Sequence, residues 1–207
     1  GDAQRPADVA IGRGGSSTKL TDLNVGLLDL KTLGEVREVS WRSSVGDHDV
    51  NGWLVTPPDF DADEDYPLLL EIHGGPFTAY GPYFSTEVQL YAAAGYVVLY
   101  TNPRGSTSYG YEFANEIHHN YPSQDYDDLI SGVDAVIDMG FIDEDQLFVT
   151  GGSGGGVLTA WIVGNTDRFA AAAVVKPVIN WISHALYSDI PEGVTRYWFE
   201  NMPWEDF

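Results

Sequence analysis

Cysteine is absent from the 207 residues, which excludes disulfides, thiolate metal sites and a cysteine nucleophile. Positive charge is scarce, because ten Lys and Arg stand against 31 Asp and Glu, for a net charge of −21. A chain this acidic is a poor partner for nucleic acid or for an anionic membrane surface. Long apolar runs are missing as well, and none approaches the length of a membrane span. We therefore expect a protein that binds neither nucleic acid nor membranes.

The chain begins with Gly and not with Met, and no signal peptide opens it. We therefore expect a piece of a longer polypeptide, for which the cytoplasm is favoured and the periplasm or secretion remain alternatives. The acidic composition fits a salt-rich habitat or solubility alone. Hydrophobic residues make up 43% of the chain, which is enough for the core of one α/β domain.

The stretch Val149–Val157 organises the sequence around one serine. A short apolar run leads into a glycine cluster, and an apolar helical pattern follows directly. This order predicts a strand, a sharp turn and a helix. The turn contains Gly151-x-Ser153-x-Gly155, the nucleophile-elbow pattern, which needs small neighbours because the backbone crowds the serine. Ser153 is then expected at a helix N-terminus, where free N–H groups favour a developing oxyanion.

Three other structures use similar glycine clusters. A phosphate loop requires Lys and then Ser or Thr after the last glycine, where this chain has Val157 and Leu158. A dinucleotide-binding fingerprint that begins at Gly152 lacks its third glycine, because Val157 occupies that position. A flexible linker is disfavoured by the apolar segments on both sides. The nucleophile elbow is the interpretation that the sequence favours.

Strand and helix patterns alternate along the chain after residue 35. This alternation predicts an α/β fold with a mostly parallel sheet and helices on both faces. Sites in such sheets lie at the carboxyl ends of strands, and glycine-bearing turns follow His73, Tyr100 and Thr150. Residues 1–35 show weak periodicity, which indicates a linker or the tail of a preceding domain. The predicted strands are 38–42, 50–56, 67–73, 96–100, 147–149 and 170–176, and the predicted helices are 86–94, 125–138 and the segment after Ser153.

A serine nucleophile needs a base that takes its proton and fixed donors for the tetrahedral oxyanion. The N–H of Gly154, directly after Ser153, is one predicted donor. The second is expected from the turn after His73, where Gly74 and Gly75 let the backbone approach the substrate closely. His73 is not favoured as the base, because α/β-hydrolases place their histidine after the serine. We predict that His73 shapes this loop.

The triad acid and base are harder to place. Only His184 follows Ser153 among the histidines, and it follows too soon for the further strands that the fold requires. His48 lies beside a turn and is expected to face solvent. We therefore expect the acid and the base beyond Phe207. None of the downstream acids is convincing, and they are Asp167, Asp189 and Asp206.

Four motifs occur in order along the chain. They are His73-Gly74-Gly75-Pro76, Asn102-Pro103-Arg104-Gly105-Ser106 with Tyr109-Gly110, Asp125-x-x-Asp128-Leu129, and the glycines around Ser153. Together they resemble the catalytic domain of the prolyl oligopeptidase family of serine peptidases, and the first is most similar to the acylaminoacyl-peptidase and dipeptidyl-aminopeptidase-like branch. The resemblance covers about residues 20–207, and residues 20–24 look like the junction that follows the family's β-propeller.

The resemblance implies an α/β-hydrolase fold in which Ser153 is the nucleophile, and Gly154 and the turn 73–75 form the oxyanion region. The resemblance also implies that His73 and Arg104 bind the substrate. For Arg104, a buried structural ion pair is an equal alternative. Several aromatic residues are expected either to line a pocket for an apolar P1 side chain or to belong to the core. They are Trp181, Tyr197, Trp198 and Phe199.

The implied activity is hydrolysis of short peptides through an acyl-enzyme on Ser153, of the acylaminoacyl- or dipeptidyl-peptidase type, without metal or cofactor. Two alternatives remain, an esterase or lipase on the same fold and a non-catalytic module that lacks the triad base. The predicted domains are a linker or propeller-like tail over 1–35 and a catalytic core over 36–207, truncated before the acid and the histidine. Gly154 replaces a bulkier residue common in the family and is expected to loosen the turn. Whether the protein forms a homo-oligomer stays open.

Overall fold

The computed structural model describes residues 1–205, apart from the side chains of Glu192 and Thr195. Its strands are β1 (Ala10–Arg13), β2 (Ser16–Lys19), β3 (Val36–Arg42), β4 (Asp49–Val55), β5 (Tyr66–Ile72), β6 (Val97–Asn102), β7 (Ile142–Gly152) and β8 (Ala171–Val175). Its helices are α1 (Val25–Leu28), α2 (Thr86–Ala93), α3 (Tyr111–Asn115), α4 (Asp125–Ile137), α5 (Gly154–Asn165), α6 (Trp181–Tyr187) and α7 (Pro191–Gly193), followed by a π-helical turn, Val194–Trp198.

Six strands form the central sheet, in the order β3-β4-β6-β5-β7-β8. The strands β6, β5, β7 and β8 pair in parallel, while β3 and β4 form an antiparallel hairpin that joins the sheet through β6. The predicted mostly parallel sheet is therefore present. Because its parallel strands end at one edge, the turns that follow β5, β6 and β7 meet there.

Helices cover both faces of the sheet, and the side chains of β6 show why. Val97 and Leu99 point into a core that contains residues of α4 and α5, whereas Val98 and Tyr100 point into a second core against α2. Alternate residues of a strand face opposite sides, so an unbroken apolar run suits a strand that is covered twice. Within residues 1–205, none of the helices has both the length and the apolar character that crossing a bilayer requires.

The segment 1–35 contains regular structure that the sequence did not indicate. The strands β1 and β2 form a separate antiparallel hairpin, all of whose residues are exposed. The helix α1 contributes no buried residue. The segment meets the core at its end, where the Gly34 N–H donates to Gln89 Oε1 of α2 at 2.8 Å. The sequence misses the hairpin because its strands are only four residues long and carry no apolar face.

Asp125 begins α4 as a buried carboxyl group. Its Oδ1 accepts hydrogen bonds from the N–H groups of Ser123 and Tyr126, at 2.7 and 3.0 Å. Its Oδ2 is buried without a hydrogen-bond partner in the part of the chain that the structure describes. Burial raises the pKa of Asp125 to about 6, although the two N–H groups act in the opposite direction. The folded protein therefore holds this proton more tightly than the unfolded chain, and the associated stability is lost as the pH rises through the folded-state pKa.

We expect Asp125→Asn to remove this pH dependence while it keeps the Oδ1 acceptor. Between about pH 4 and about pH 7, the free energy of unfolding of the natural protein should fall by about 2 kcal/mol relative to the variant. Urea unfolding at both pH values measures the difference. Asp127→Asn, in the same turn of α4 at a partly exposed position, controls for the loss of an acidic group. Equal pH slopes for both variants would show that the buried Asp125 is not the cause.

Candidate active site

Ser153 occupies the turn between β7 and α5. Its backbone has φ +57° and ψ −117°, a conformation that side chains of L-residues rarely adopt. Such a conformation costs about 1–3 kcal/mol and persists only where the surroundings hold it. The Ser153 N–H donates to Val175 O at 3.0 Å, which ties the turn to the end of β8. The side chain of Ser153 is consequently exposed at the carboxyl edge of the sheet.

Three glycines around Ser153 leave the space in which this turn packs. A Cβ atom on Gly155 would lie 2.1 Å from Ile72 O, and one on Gly151 would lie 2.5 Å from Gly155 O. A Cβ atom on Gly156 would lie 2.5 Å from Val175 O. Atoms at these distances overlap, so only glycine allows α5 to start against β5 and β8. The glycine cluster seen in the sequence is therefore a steric requirement of the turn.

Two backbone N–H groups meet beside Ser153. Gly154 starts α5, and Gly75 lies in the turn after β5 with φ +118°. A Cβ atom on Gly154 would lie 3.1 Å from the nitrogen of Gly75, so the two peptides are in contact. Within residues 1–205, neither N–H donates to a backbone or side-chain acceptor. The two donors expected from the sequence thus lie together and unpaired, next to the serine.

Gly154 packs closely against the turn after β5, and the expectation that it loosens its own turn stays a prediction. The Gly75 carbonyl carbon and oxygen would lie 3.0 and 2.8 Å from a Cβ atom at position 154. The glycine therefore permits close contact between the two loops. The carbonyl oxygen of Gly154 also accepts a hydrogen bond from the buried Tyr121 hydroxyl at 2.9 Å. Gly74 joins the same contact, because its Cβ position lies 3.3 Å from Ser153 Cβ.

His73 is buried at the end of β5 and is bonded within its own neighbourhood. Its Nδ1 lies 2.7 Å from Gly74 O, and its Nε2 lies 2.9 Å from Ser106 Oγ. Because a carbonyl oxygen only accepts, Nδ1 carries the proton and Nε2 accepts from the Ser106 hydroxyl. Burial lowers the pKa of His73, which keeps the ring neutral. Both nitrogens are occupied, so the geometry supports the prediction that His73 shapes the loop and gives no support to substrate binding.

Neither His73 nor His184 is hydrogen-bonded to Ser153. His184, on α6, shares a cavity with Ser153, but its ring packs edge-on against Trp181 and Trp198, with centroids 5.7 and 6.4 Å away. Asp167 and Asp189 have no hydrogen bond or ion pair with His184. Asp206 lies outside the described residues. Within residues 1–205, the structure therefore places Ser153 beside two backbone N–H groups, with neither His73 nor His184 oriented as its base.

The guanidinium group of Arg104 is hydrogen-bonded to other residues of the protein. The side chain is 3% exposed, and its Nε and Nη2 donate to the two carboxylate oxygens of Asp128 at 3.0 and 2.8 Å. Nη1 donates to Gln124 Oε1 at 2.7 Å, and Nη2 also donates to Val45 O at 2.8 Å. Nη1 also lies 3.3 Å from Glu116 Oε2, so each of the three guanidinium nitrogens faces protein acceptors. Of the two alternatives stated for Arg104, the geometry supports the buried ion pair.

His48 belongs to the same network, and the expectation that it faces solvent is wrong. Its Nε2 lies 3.3 Å from Arg104 Nη2 and 3.4 Å from Asp128 Oδ1, and its side chain is 18% exposed. The β3–β4 turn carries His48 over the start of α4. The sequence does not show this contact, because its partners lie at least 56 residues away.

Two cavities open beside Ser153. The smaller has a volume of about 90 Å³ and a mostly apolar lining that includes Val157, Trp181 and Trp198, together with Gly75. The larger has a volume of about 530 Å³ and lies against α2, β5 and the end of β8. Tyr197 is not part of the smaller cavity. Its ring packs edge-on against Phe77, with centroids 5.4 Å apart, and lines two other cavities, neither of which includes Ser153.

The wall of the larger cavity is acidic and aromatic. Glu71, Tyr80, Tyr83 and Glu87 line it, and Lys176 is the one lysine among its described lining residues. Burial raises the pKa of Glu71, although a hydrogen bond with Tyr80 acts in the opposite direction. No three His, Asp or Glu side chains converge as a metal ion would require, in the part of the chain that the structure covers.

A serine turn between a strand and a helix, at the carboxyl edge of a mostly parallel sheet and facing a second glycine turn, is the arrangement of an α/β-hydrolase. Residues 82–206 match the prolyl oligopeptidase family. The chain therefore belongs to the prolyl oligopeptidase family, and the resemblance seen in its four motifs is confirmed.

Relatives and solved structures agree with this assignment. The uncharacterized peptidase YuxL of Bacillus subtilis is 41% identical over 204 residues, which are 98% of this chain and 31% of that protein. The acylaminoacyl peptidase of Pyrococcus horikoshii superposes with a TM-score of 0.90 at 29% identity, over 98% of this chain and 33% of that one. An acylaminoacyl peptidase in complex with Z-Gly-Gly-Phe-chloromethyl ketone superposes with a TM-score of 0.89 at 31% identity, over 97% of this chain and 32% of that one. This chain spans about a third of their length.

Proposed function

We propose that this chain carries the nucleophile and the oxyanion donors of a serine peptidase that hydrolyses short peptides. Ser153 attacks the peptide carbonyl carbon as the base takes its proton, and the N–H groups of Gly75 and Gly154 bind the oxygen that becomes negative. The C–N bond then breaks, the amine leaves with that proton, and water hydrolyses the acyl-enzyme on Ser153. One observation carries the proposal. Ser153 stands exposed in a strained turn, beside two unpaired N–H groups of the described chain.

The triad acid and base are proposed to lie outside these 207 residues. Neither His73 nor His184 is oriented towards Ser153 by a hydrogen bond, and His73 is occupied by Gly74 and Ser106. The larger cavity gives a base room to reach Ser153 from the side of α2. Residues 36–207 are then most of a catalytic core, and residues 1–35 are a linker from a preceding propeller-like domain.

The smaller cavity is proposed to receive the side chain on the acyl side of the cleaved bond, the P1 residue. It adjoins both Ser153 and Gly75, and its described lining consists mostly of apolar and aromatic groups, Trp181 among them. An apolar lining favours an apolar P1 side chain, because a carboxylate placed there loses its hydration without gaining a partner. The similar acylaminoacyl peptidase structure contains a peptide derivative that ends in Phe, which agrees with this preference.

A panel of acylated p-nitroanilides tests the reaction and the P1 preference together, in the complete polypeptide that contains this chain. We expect kcat/KM for P1 Phe to exceed that for P1 Asp by at least about tenfold, since a buried unpaired charge is strongly disfavoured. Trp181→Ala should lower kcat/KM for P1 Phe more than for P1 Ala. Trp161→Ala, at an exposed position on α5, is the matched control and should change neither.

Other results would point to the alternatives. Turnover of matched p-nitrophenyl esters without cleavage of any anilide would identify an esterase on the same fold. Absence of turnover together with absence of labelling by a fluorophosphonate would identify a non-catalytic module. Equal rates for P1 Phe and P1 Asp would leave the peptidase proposal standing and overturn the assignment of the smaller cavity.

A further inference from the structure

Two loops at the carboxyl edge of the sheet are joined by a dense set of hydrogen bonds. The first, His73–Tyr80, carries the Gly75 N–H and is named here the oxyanion loop. The second, Asn102–Thr107, follows β6 and is named the supporting loop. None of its residues lines either cavity beside Ser153. The side chains of Asn102, Arg104 and Ser106 are nevertheless buried, which indicates a role other than substrate contact.

Asn102 holds the end of the oxyanion loop. It is 1% exposed, and its Oδ1 accepts from the Tyr80 N–H at 2.7 Å while its Nδ2 donates to Tyr80 O at 3.1 Å. One side-chain amide thus pairs with both backbone polar groups of one residue, as a neighbouring strand would. Only an amide of this length offers a donor and an acceptor in that geometry.

Ser106 and Thr107 hold the beginning and the middle of the oxyanion loop. The fully buried Ser106 hydroxyl donates to His73 Nε2 at 2.9 Å, and the Thr107 N–H donates to Thr78 O at 2.9 Å. Gly75 lies between these two attachments. The Gly75 backbone has a positive φ and makes no hydrogen bond within residues 1–205. The direction in which its N–H points therefore depends on the attachments on either side.

The supporting loop is itself held by hydrogen bonds to α3 and α4. The Arg104 backbone N–H donates to Asp128 Oδ2 at 2.8 Å, in addition to the side-chain ion pair between the two residues. The Gly105 N–H donates to Phe113 O at 3.0 Å. The anchoring runs from α4 through Arg104 into the supporting loop and from there into the oxyanion loop. A donor that is held before the reaction costs no reorganisation when the oxyanion forms.

We propose that Asn102 and Ser106 are positioning residues that hold the oxyanion loop so that the Gly75 N–H stays aimed at the oxyanion beside Ser153. The inference rests on the proposed function, because it assigns these residues to the same reaction. It concerns the transition state and not substrate binding. Loss of either residue should therefore lower kcat while KM stays nearly unchanged.

The test uses the complete polypeptide that contains this chain, with Asn102→Ala and Ser106→Ala as variants. We expect kcat for a P1 Phe anilide to fall by at least about tenfold, with KM within about twofold of the natural value. A peptide aldehyde forms a hemiacetal oxyanion with the serine, whereas the matching peptide alcohol does not. Inhibition by the aldehyde should weaken by the same factor as kcat, and inhibition by the alcohol should not change.

Tyr109→Phe is the matched control. It removes the third hydrogen bond of Asn102, from Nδ2 to the Tyr109 hydroxyl at 3.0 Å, and leaves both bonds to Tyr80 in place. We expect kcat for this variant within about twofold of the natural value. Because Ser106→Ala removes a single hydroxyl, it keeps the test decisive if Asn102→Ala does not fold.

If the natural protein is active, either of two results overturns the inference. They are an unchanged kcat in Asn102→Ala and Ser106→Ala, and an equal weakening of aldehyde and alcohol, which is what a merely structural role predicts. A natural protein that neither turns over peptides nor reacts with a fluorophosphonate overturns the proposed function instead, and this inference with it. The two failures are therefore distinguishable.

Discussion

Ser153→Ala is expected to abolish covalent labelling by a fluorophosphonate and to lower kcat for a peptide anilide by about 10⁴- to 10⁶-fold. The substitution removes one hydroxyl oxygen and leaves the turn, the donors of Gly75 and Gly154, and both cavities in place. Substrate binding should therefore persist, with KM within about threefold of the natural value. Intact-mass measurement after labelling and steady-state kinetics of the complete polypeptide check the two parts.

Ser17→Ala is the control for this prediction. Ser17 lies in the exposed hairpin strand β2, where loss of a hydroxyl should leave labelling and kcat unchanged. A fluorophosphonate adduct that survives in Ser153→Ala would sink the assignment of the nucleophile. An adduct found on another serine in the natural protein would do the same, even if Ser153→Ala were inactive for other reasons.

Gly155→Ala is expected to destabilise the protein by at least about 3 kcal/mol, or to prevent folding. The added Cβ atom would lie 2.1 Å from Ile72 O, 2.8 Å from Ile72 C and 2.9 Å from His73 O. All three are backbone atoms of β5 and the turn that follows. A backbone in a sheet cannot shift to relieve the overlap as the end of a flexible side chain can. Either α5 moves away from β5 or the strained Ser153 turn opens. Thermal and urea unfolding measure the loss.

Gly164→Ala makes the same chemical change in the same helix, and it should raise the stability of the protein instead of lowering it. No heavy atom lies within 4 Å of a Cβ atom at position 164. Alanine lowers the conformational entropy of the unfolded chain, so this variant should be more stable by about 0.5–1 kcal/mol. Similar losses in both variants would show that helix propensity, and not contact with β5, determines the role of Gly155.

These two predictions concern one structural unit, in which the proposed catalytic groups and the packing of α5 share residues. The glycines that let α5 approach β5 also bring Gly154 against Gly75. Close packing at this point therefore holds the strained turn of Ser153 and brings together the two N–H groups that we propose as oxyanion donors. A Cβ atom on Gly154 would overlap with Gly75, so glycine at this position permits the contact between the two turns.

The elements that could be predicted have their information nearby in the chain. The strands β5 and β6 each contain an apolar run. The helix α4 begins at Asp125 and carries an apolar stripe along one face. By contrast, β7 begins at Ile142, earlier than predicted. Its first half carries polar residues, and Ile142 pairs with Tyr66 of β5. Polar residues there show no strand periodicity, so only the register with β5 reveals them as part of the strand.

The sequence by itself determined the α/β class and the serine turn, because glycine spacing and apolar periodicity are local and express the steric needs of each element. Its four ordered motifs indicated the family by resemblance. Only the tertiary structure decided that Arg104 forms an internal ion pair, that His48 contacts this pair, and that the Asn102 side chain pairs with the backbone of Tyr80. The partners in these contacts come from separate segments of the chain: Arg104 lies 24 residues before Asp128 and 56 after His48, and Asn102 lies 22 residues after Tyr80. No local pattern encodes such pairs, because they form when the sheet brings the carboxyl ends of its strands to one edge.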